Sequence, residues 1–280
     1  MIIHQLLNTA FRKAKELPLD VNTKYILFSD LHKGNNSYAD DFKQNMRIYK
    51  EALHHYYKND YTYIELGDGI ELWENKKIKP IIKAHRVVFE LLAAFHKQNK
   101  LFLIYGNHDM IFRYPFIVKR MLNTILPSIK YYESIVLKNN EKKLLLLHGH
   151  QADYMNYYFW WLNRFLVRYI WKPLQTLGVN DPTSPAKNYK ELIKVEERMK
   201  NWISKNNNQP VIFGHTHRPR FPKPSKPPMF NTGSCVHPDS IIGIEIENMQ
   251  ISMVKWHYNN KGSKIIKEYL ENPIDIDEYW

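Results

Sequence analysis

Five short apolar runs in this chain each stop at a polar turn. KYILFS leads into Asp30-Leu31-His32 and YTYIEL into Gly67-Asp68. LFLIY leads into Gly106-Asn107-His108-Asp109. KKLLLL leads into His148-Gly149-His150, and PVIF into Gly214-His215-Thr216-His217. Runs this short and this apolar read as strands. Between them lie amphipathic stretches at 40–58, 80–98 and 112–123; the second carries Ile81, Ile82, Val88, Leu91, Leu92 and Phe95 at helical spacing. Strands interleaved with helices argue an α/β fold, in which ligands collect at the carboxyl ends of the strands. Further β-like runs at 134–137, 229–231, 241–246 and 251–256 include some with no helix between them, so part of the sheet layer is expected to be antiparallel.

Composition sets the outer limits. The 280 residues suffice for one large domain, or one domain with an insertion, and 44% of them are hydrophobic. The single cysteine, Cys235, excludes an intramolecular disulfide framework and points to a reducing, cytoplasmic setting. The opening MIIHQLLNTAFRKAKEL lacks the apolar core of a signal peptide and reads as a short amphipathic helix. No run approaches ~18 apolar residues, so no transmembrane helix is expected. The formal charge of +12 favours polyanionic partners: nucleic acid, anionic lipid or phosphorylated substrates. No Lys/Arg block is long enough for a nucleic-acid arm, and a merely solubilising surface would give the same count.

Five strand ends pointing one way would gather Asp30, Asp68, Asn107 and several histidines in one place. Carboxylate, imidazole and amide oxygen together suit divalent metals such as Mn, Fe, Zn or Ni. The ligands are too many for one tetrahedral ion and enough for two. Two ions ~3.5–4 Å apart can share a bridging carboxylate and clamp the attacking and leaving oxygens of an in-line phosphoryl displacement. The D-x-H and H-x-H spacings fit, because residues i and i+2 of an extended segment point to one side. Each motif alone is weak: a histidine after a strand is more often structural, and Gly-Asp is a common turn. Their joint order and strand context decide.

The ordered set FSDLH, LGDGIELWE, YGNHD, LLHGH and FGHTH resembles the calcineurin-like metallophosphoesterase superfamily over about residues 24–150 and 209–256. GDGIELWE and GHTHRP also look like the branch containing UDP-2,3-diacylglucosamine pyrophosphohydrolases, in which a helical insertion follows the fourth motif. The lipid A enzymes of that branch carry Arg where this chain has His108. The resemblance implies that Asp30, His32 and His217 hold one metal, that Asp68 bridges, and that Asn107, His148 and His215 complete the second. It implies two divalent ions as cofactor, Mn²⁺ foremost with Fe, Zn or Ni as alternatives, and a metal-bridging hydroxide as nucleophile. His108 becomes the candidate general acid, or the stabiliser of charge on the leaving oxygen. Asp109 would orient the His108 ring or cap the following turn. His150 would lie behind the ligands, meet substrate or serve the turn. Arg218 would contact a phosphate oxygen or stay a surface arginine. Glu71 and Glu74 read as the acidic opening of a helix.

The insertion holds nine aromatic residues between Tyr154 and Trp171. As a helix, 154–172 puts Tyr158, Leu162, Phe165, Leu166, Tyr169 and Ile170 on one face and Arg164, Arg168 and Lys172 on a basic stripe. That suits a lid contacting a lipid-linked phosphoester, with Arg164 and Arg168 binding substrate, or a protein resting on an anionic bilayer. It also suits packing against a second helix at 186–204 through Leu192, Val195, Met199 and Trp202. The expected architecture is a four-layer α-β-β-α sandwich, one domain over 1–280, with a helical cap inserted at about 151–206. The expected activity is dimetal hydrolysis of a phosphodiester or pyrophosphate, lipid- or nucleotide-linked. The alternatives are a nuclease or phosphoprotein phosphatase, and a metal-bearing scaffold without turnover. The acidic, aromatic end KEYLENPIDIDEYW is left to dock on the domain, dock on another subunit or hang free.

Overall fold

An unbroken apolar run suits a strand covered on both faces, because successive side chains point to opposite sides. The computed structural model describes residues 2–171, 189–259, 262 and 264–280. In β2 (Lys24–Phe28), Ile26 and Phe28 enter one core while Tyr25 and Leu27 enter another. In β7 (Lys142–Leu147), Leu144 and Leu146 face the second of these, and Leu145 and Leu147 a third.

Two sheets result. Strands β2, β3 (Thr62–Leu66), β4 (Leu101–Ile104) and β5 (Tyr131–Tyr132) pair in parallel in that order. On the other side of β2, strands β10 (Ser240–Glu247), β11 (Gln250–Tyr258) and β12 (Ile265–Asp275) continue the sheet antiparallel. The second sheet runs β1 (Lys15–Pro18), β6 (Ser134–Asn139), β7, β8 (Val211–Phe213) and β9 (Met229–Asn231); only its β6–β7 pair is antiparallel. The facing sides share an aliphatic core that includes Leu27, Ile64, Leu66, Leu146, Ile212 and Ile244.

Helices cover both outer faces. Outside the first sheet lie α2 (Met46–Lys58), α3 (Ile78–Ala84), α4 (Arg86–Lys97) and α5 (Pro115–Leu122). Two short helices, α6 (Tyr154–Tyr158) and α7 (Trp160–Leu166), and a π-helical turn at Val167–Trp171 follow β7. Outside the second sheet lie α1 (Ile2–Lys13) and α8 (Tyr189–Lys205), which bury Leu7, Val195, Met199 and Trp202. Burial of each of the three aliphatic side chains among these contributes about 1.5–3 kcal/mol. The layers are helix, sheet, sheet, helix, as expected. Among the described residues no helix is long and apolar enough to cross a membrane.

Several elements depart from expectation. The 40–58 helix begins only at Met46, because Asp40 is spent on a loop. Its carboxylate accepts from the amides of Gly34 (3.1 Å) and Asn36 (2.7 Å) and from His85 Nε2 (2.9 Å). The 80–98 stretch breaks at His85 into α3 and α4. The C-terminal end is docked: β12 pairs with β11, and Ile276 and Tyr279 enter the core between the sheets.

The largest departure is α8. It was expected in a cap, against the aromatics of 154–172. Instead Val195, Met199 and Trp202 pack with Leu7 and Phe213, and Trp202 Nε1 donates to Asn8 Oδ1 at 2.8 Å. Helix α8 is thus an outer-layer helix of the sandwich. Tyr154, Tyr158, Trp161, Phe165, Tyr169 and Ile170 remain 41–59% exposed. Lys172 and the rest of 172–188 lie outside the described residues.

Candidate metal centre and active site

Strands β2, β3 and β4 are parallel neighbours, so the turns after them open at one edge; β7 and β8 do the same in the facing sheet. Backbone bonds then lace the turns together. Asp30 N–H donates to Gly67 O (3.1 Å), His32 N–H to Asp68 O (2.8 Å) and Gly214 N–H to His148 O (2.9 Å). The sheets are joined where His215 N–H donates to Asp30 Oδ2 at 2.9 Å. The turns are strained. Asp30, His32, Asp68, His215 and His217 all have φ between 49° and 66°. Such left-handed geometry costs a non-glycine residue about 1 kcal/mol or more, and it persists where the surroundings impose it. Gly67 is required between them: its φ is +90°, and a Cβ there would come 2.6 Å from the His148 ring.

Two groups of ligands converge. Asp30, His32 and His217 form one and Asp68, His148 and His215 the other, with ligating atoms within 4.8 Å of one another in each. Asn107 joins the second, its Oδ1 3.2 Å from His148 Nε2. Asp68 Oδ2 lies 3.3 Å from His148 Nε2 and 3.8 Å from His32 Nε2, so it reaches both groups. These residues fit divalent cations. Asp30 Oδ1 is buried without a hydrogen-bond partner, and the Nε2 atoms of His217 and His32 face it at 3.1 and 3.9 Å. A cation supplies what that oxygen lacks. The outer ring nitrogens are already tied: His148 Nδ1 to Leu66 O (2.7 Å), His32 Nδ1 to Glu71 (2.9 Å) and His215 Nε2 to Asp153 (3.3 Å). Each bond orients a ring and leaves its other nitrogen available to a cation.

Burial opposes every charge here; opposite charges outweigh it at Asp30, Asp68, Glu71, His148 and His108, while at His217 burial prevails and lowers the ring below its ordinary value. His217 and His148 hold Asp30 well below the usual carboxylate range despite its burial. His148 and His108 do so for Asp68, and His108 and His32 for Glu71. Against the same burial, Asp68 and Asp30 push His148 up to about 9, and Glu71 and Asp68 push His108 up to about 10. With no compensating carboxylate bond, His150 is driven well below its ordinary value by burial and then by His148 and His215.

Glu71 opens no helix. Its Oε2 accepts from Nδ1 of both His108 (2.6 Å) and His32 (2.9 Å), and its Oε1 from the amides of Trp73 (3.0 Å) and Glu74 (3.1 Å). His32, Glu71 and His108 are close enough to hold an ion themselves, but with four hydrogen bonds on its carboxylate Glu71 reads as a hub. The signal for it was the carboxylate three residues past Asp68 in GDGIE, which the acidic-helix-start pattern also explained. Asp153 was missed as well: it caps α6 and holds His215.

The structure places five more of the expected site residues. Asp109 does not touch the His108 ring. It accepts from the amides of Gly106 (2.6 Å), Gly69 (3.0 Å) and Ile70 (3.3 Å), binding the β3 and β4 turns together. Burial and then Asp68 push it up to about 7. His150 is fully buried beside Tyr157, with neither ring nitrogen hydrogen-bonded, so it is not placed to meet substrate. Arg168 is spent on backbone carbonyls: Nε donates to Trp73 O (2.9 Å), and Nη2 to Leu72 O (2.5 Å) and Asn75 O (3.3 Å). Arg164 is half-buried, with Nε enclosed and unpartnered. Arg218 stays exposed, 5.8 Å over the Tyr189 ring.

Comparison with known proteins matches residues 23–219 to the family described as calcineurin-like phosphoesterase. No curated protein sequence matches the chain. Among solved structures, vacuolar protein sorting 29 from Cryptosporidium parvum is 15% identical, with TM-score 0.43, covering 90% of this chain and 100% of that one. A predicted phosphoesterase from Streptococcus pneumoniae is 14% identical, with TM-score 0.39, covering 88% and 97%. The Entamoeba histolytica vacuolar protein sorting 29 complexed with Zn²⁺ is 14% identical, with TM-score 0.43, covering 89% and 99%.

Proposed function

The chain belongs to the calcineurin-like phosphoesterase family, and from that premise we propose that it is a two-metal hydrolase of a phosphodiester or pyrophosphate, lipid- or nucleotide-linked. One observation carries the reading: two ligand groups share Asp68 beside a histidine whose Nδ1 is held by a carboxylate. When bound, two divalent ions, Mn²⁺ foremost, would supply charge to the phosphoryl oxygens and an activated water. Asp30, His32 and His217 would hold one ion and Asn107, His148 and His215 the other, with Asp68 available to both. Against burial, Glu71 and Asp68 push His108 up to about 10, which favours its protonated form. Among the described residues only Nδ1 of its ring is hydrogen-bonded, and 21% of the side chain is open to solvent. From there it gives its proton to the leaving oxygen. Arg218, exposed directly after His217, meets a phosphate oxygen.

The exposed aromatic face of α6, α7 and the following turn supports a substrate with an apolar tail, or a protein that rests on an anionic bilayer. The retained His108–Glu71 pair speaks against a scaffold without turnover. The test is hydrolysis by metal-stripped protein titrated with Mn²⁺. Bis-p-nitrophenyl phosphate is expected to turn over only with metal and not in Asp68→Asn. His108→Ala is expected to slow esters with poor leaving groups by ~10²-fold or more. Two ions bound with no turnover of any diester or diphosphate would refute the reading. Steeply salt-dependent DNA binding with DNA cleavage would move it to the nuclease.

A further inference from the structure

The acid assigned above, His108, is gripped in its own plane by Glu71, but one bond leaves a ring free to tilt. Trp73 supplies the missing constraint. Its indole stacks on the His108 imidazole with centroids 4.0 Å apart and planes 18° apart. On another side the His32 ring meets His108 edge-on, with centroids 4.5 Å apart at 87°. Trp73 is only 5% exposed, and its Nε1 is buried without a hydrogen-bond partner. Buried indoles ordinarily satisfy that N–H. Here the ring lies where the imidazole needs a flat support, not where its own donor would be served.

The turn that carries Trp73 is held from outside. Residues 72–74 form a bare turn, and the next helix begins only at Ile78. Its inner side is fixed by Glu71, which takes the amides of Trp73 and Glu74. Its outer side presents the carbonyls of Leu72, Trp73 and Asn75 to one guanidinium, Arg168 of the π-helical turn. Three carbonyls on one cation is a clamp that a lysine's single nitrogen does not reproduce in shape.

We propose that Trp73 and Arg168 are positioning residues for His108: the indole is the platform that sets the ring's tilt, and Arg168 fastens the turn that carries it. The segment that follows β7 therefore reaches the reaction through Arg168, the turn, Trp73 and His108 in sequence. This rests on the reading of His108 as the leaving-group acid.

The test uses the full chain loaded with Mn²⁺ and aryl phosphodiesters whose leaving phenols run from p-nitrophenol to phenol. A proton donor matters most for the poorer leaving group, so its loss steepens the dependence of kcat on leaving-group pKa. His108→Ala is expected to steepen it most. Trp73→Leu and Arg168→Gln are expected to steepen it in the same sense, with kcat on the phenyl ester falling about tenfold and on the p-nitrophenyl ester less than about threefold. Bound metal and KM are expected to hold, Trp73→Phe to retain most of the rate, and Trp73→Leu to add nothing to His108→Ala. Equal losses on all esters, lost metal, or a further steepening by Trp73→Leu within His108→Ala would overturn the proposal. If His108→Ala leaves the dependence unchanged, the acid assignment itself falls, and with it the proposal.

Discussion

Metal is expected to stabilise the fold by an amount that can be worked from the site. The two ligand groups bring together Asp30, Asp68 and four histidines, with Asp30 Oδ1 lacking a hydrogen-bond partner among the described residues and five residues in left-handed geometry. An unfolded chain has no such site, so binding free energy adds to folding. At 100 times its dissociation constant, one ion contributes ~2.7 kcal/mol. Unfolding entropy of ~2.1 cal/mol/K per residue over 280 residues is ~0.59 kcal/mol/K. Each ion should then raise the melting temperature by ~4–5 °C, and two by ~9 °C. Asp68→Asn should keep the fold, because its side-chain carbonyl can still accept from His108 N–H, the bond seen at 2.8 Å. It should lose more than half of the rise, because on the proposed reading Asp68 would serve both ions. The assay is thermal unfolding of chelator-stripped protein against Mn²⁺, with bound metal measured in parallel. No rise with Mn²⁺, Zn²⁺ or Fe²⁺, or a full rise in Asp68→Asn, would refute the shared-ligand reasoning.

Two further expectations concern the supports behind the site. Lys33, directly after His32, is fully buried with Nζ 2.8 Å from Glu65 Oε2. Lys33→Met leaves that buried carboxylate without its cation, with the Tyr63 hydroxyl (3.1 Å) still donating to it, and should cost ~3–5 kcal/mol in urea unfolding, with Lys33→Met/Glu65→Leu recovering most of it; a single variant as stable as the parent would contradict this. Asp40 is held below its ordinary 3.8: burial opposes, and His85 and the amides of Asn36 and Gly34 outweigh it. A depressed native pKa stabilises the fold above the unfolded value, and that share is lost as pH falls through the native one. Asp40→Asn should therefore flatten stability against pH as pH falls below about 4, and parallel curves for variant and parent would count against it.

The parts of the molecule that were legible are those whose burial is written in every residue. KYILF and KKLLLL lie between two layers, and both faces had to be apolar. The strands that were missed carry no such record. In β1 only Leu17 is buried, and β12 is exposed along most of its length. Backbone pairing with a neighbour holds them, and that neighbour is not local in sequence. The site divides the same way. Its candidate ligands follow strands, and their order along the chain could be read. The partner of His108 could not, because two carboxylates stood near it and only the fold decides which one it meets. Asp109 is adjacent in sequence but turned back to the amides of Gly69 and Ile70, while Glu71 arrives from the neighbouring turn.

Helix α8 makes the same point from the side of packing. Its period shows that Leu192, Val195, Met199 and Trp202 share a face, but not what that face meets. It was paired with the aromatic segment on sequence grounds, and it meets α1 and the second sheet instead. The aromatic strip is thereby left open, and the element it belongs to is joined through Arg168 to the turn that carries Trp73. A substrate whose apolar tail lies along the strip would thus bear on the same contact that sets the tilt of His108. Recognition of the tail and delivery of the proton would then be one mechanical problem in this fold, not two.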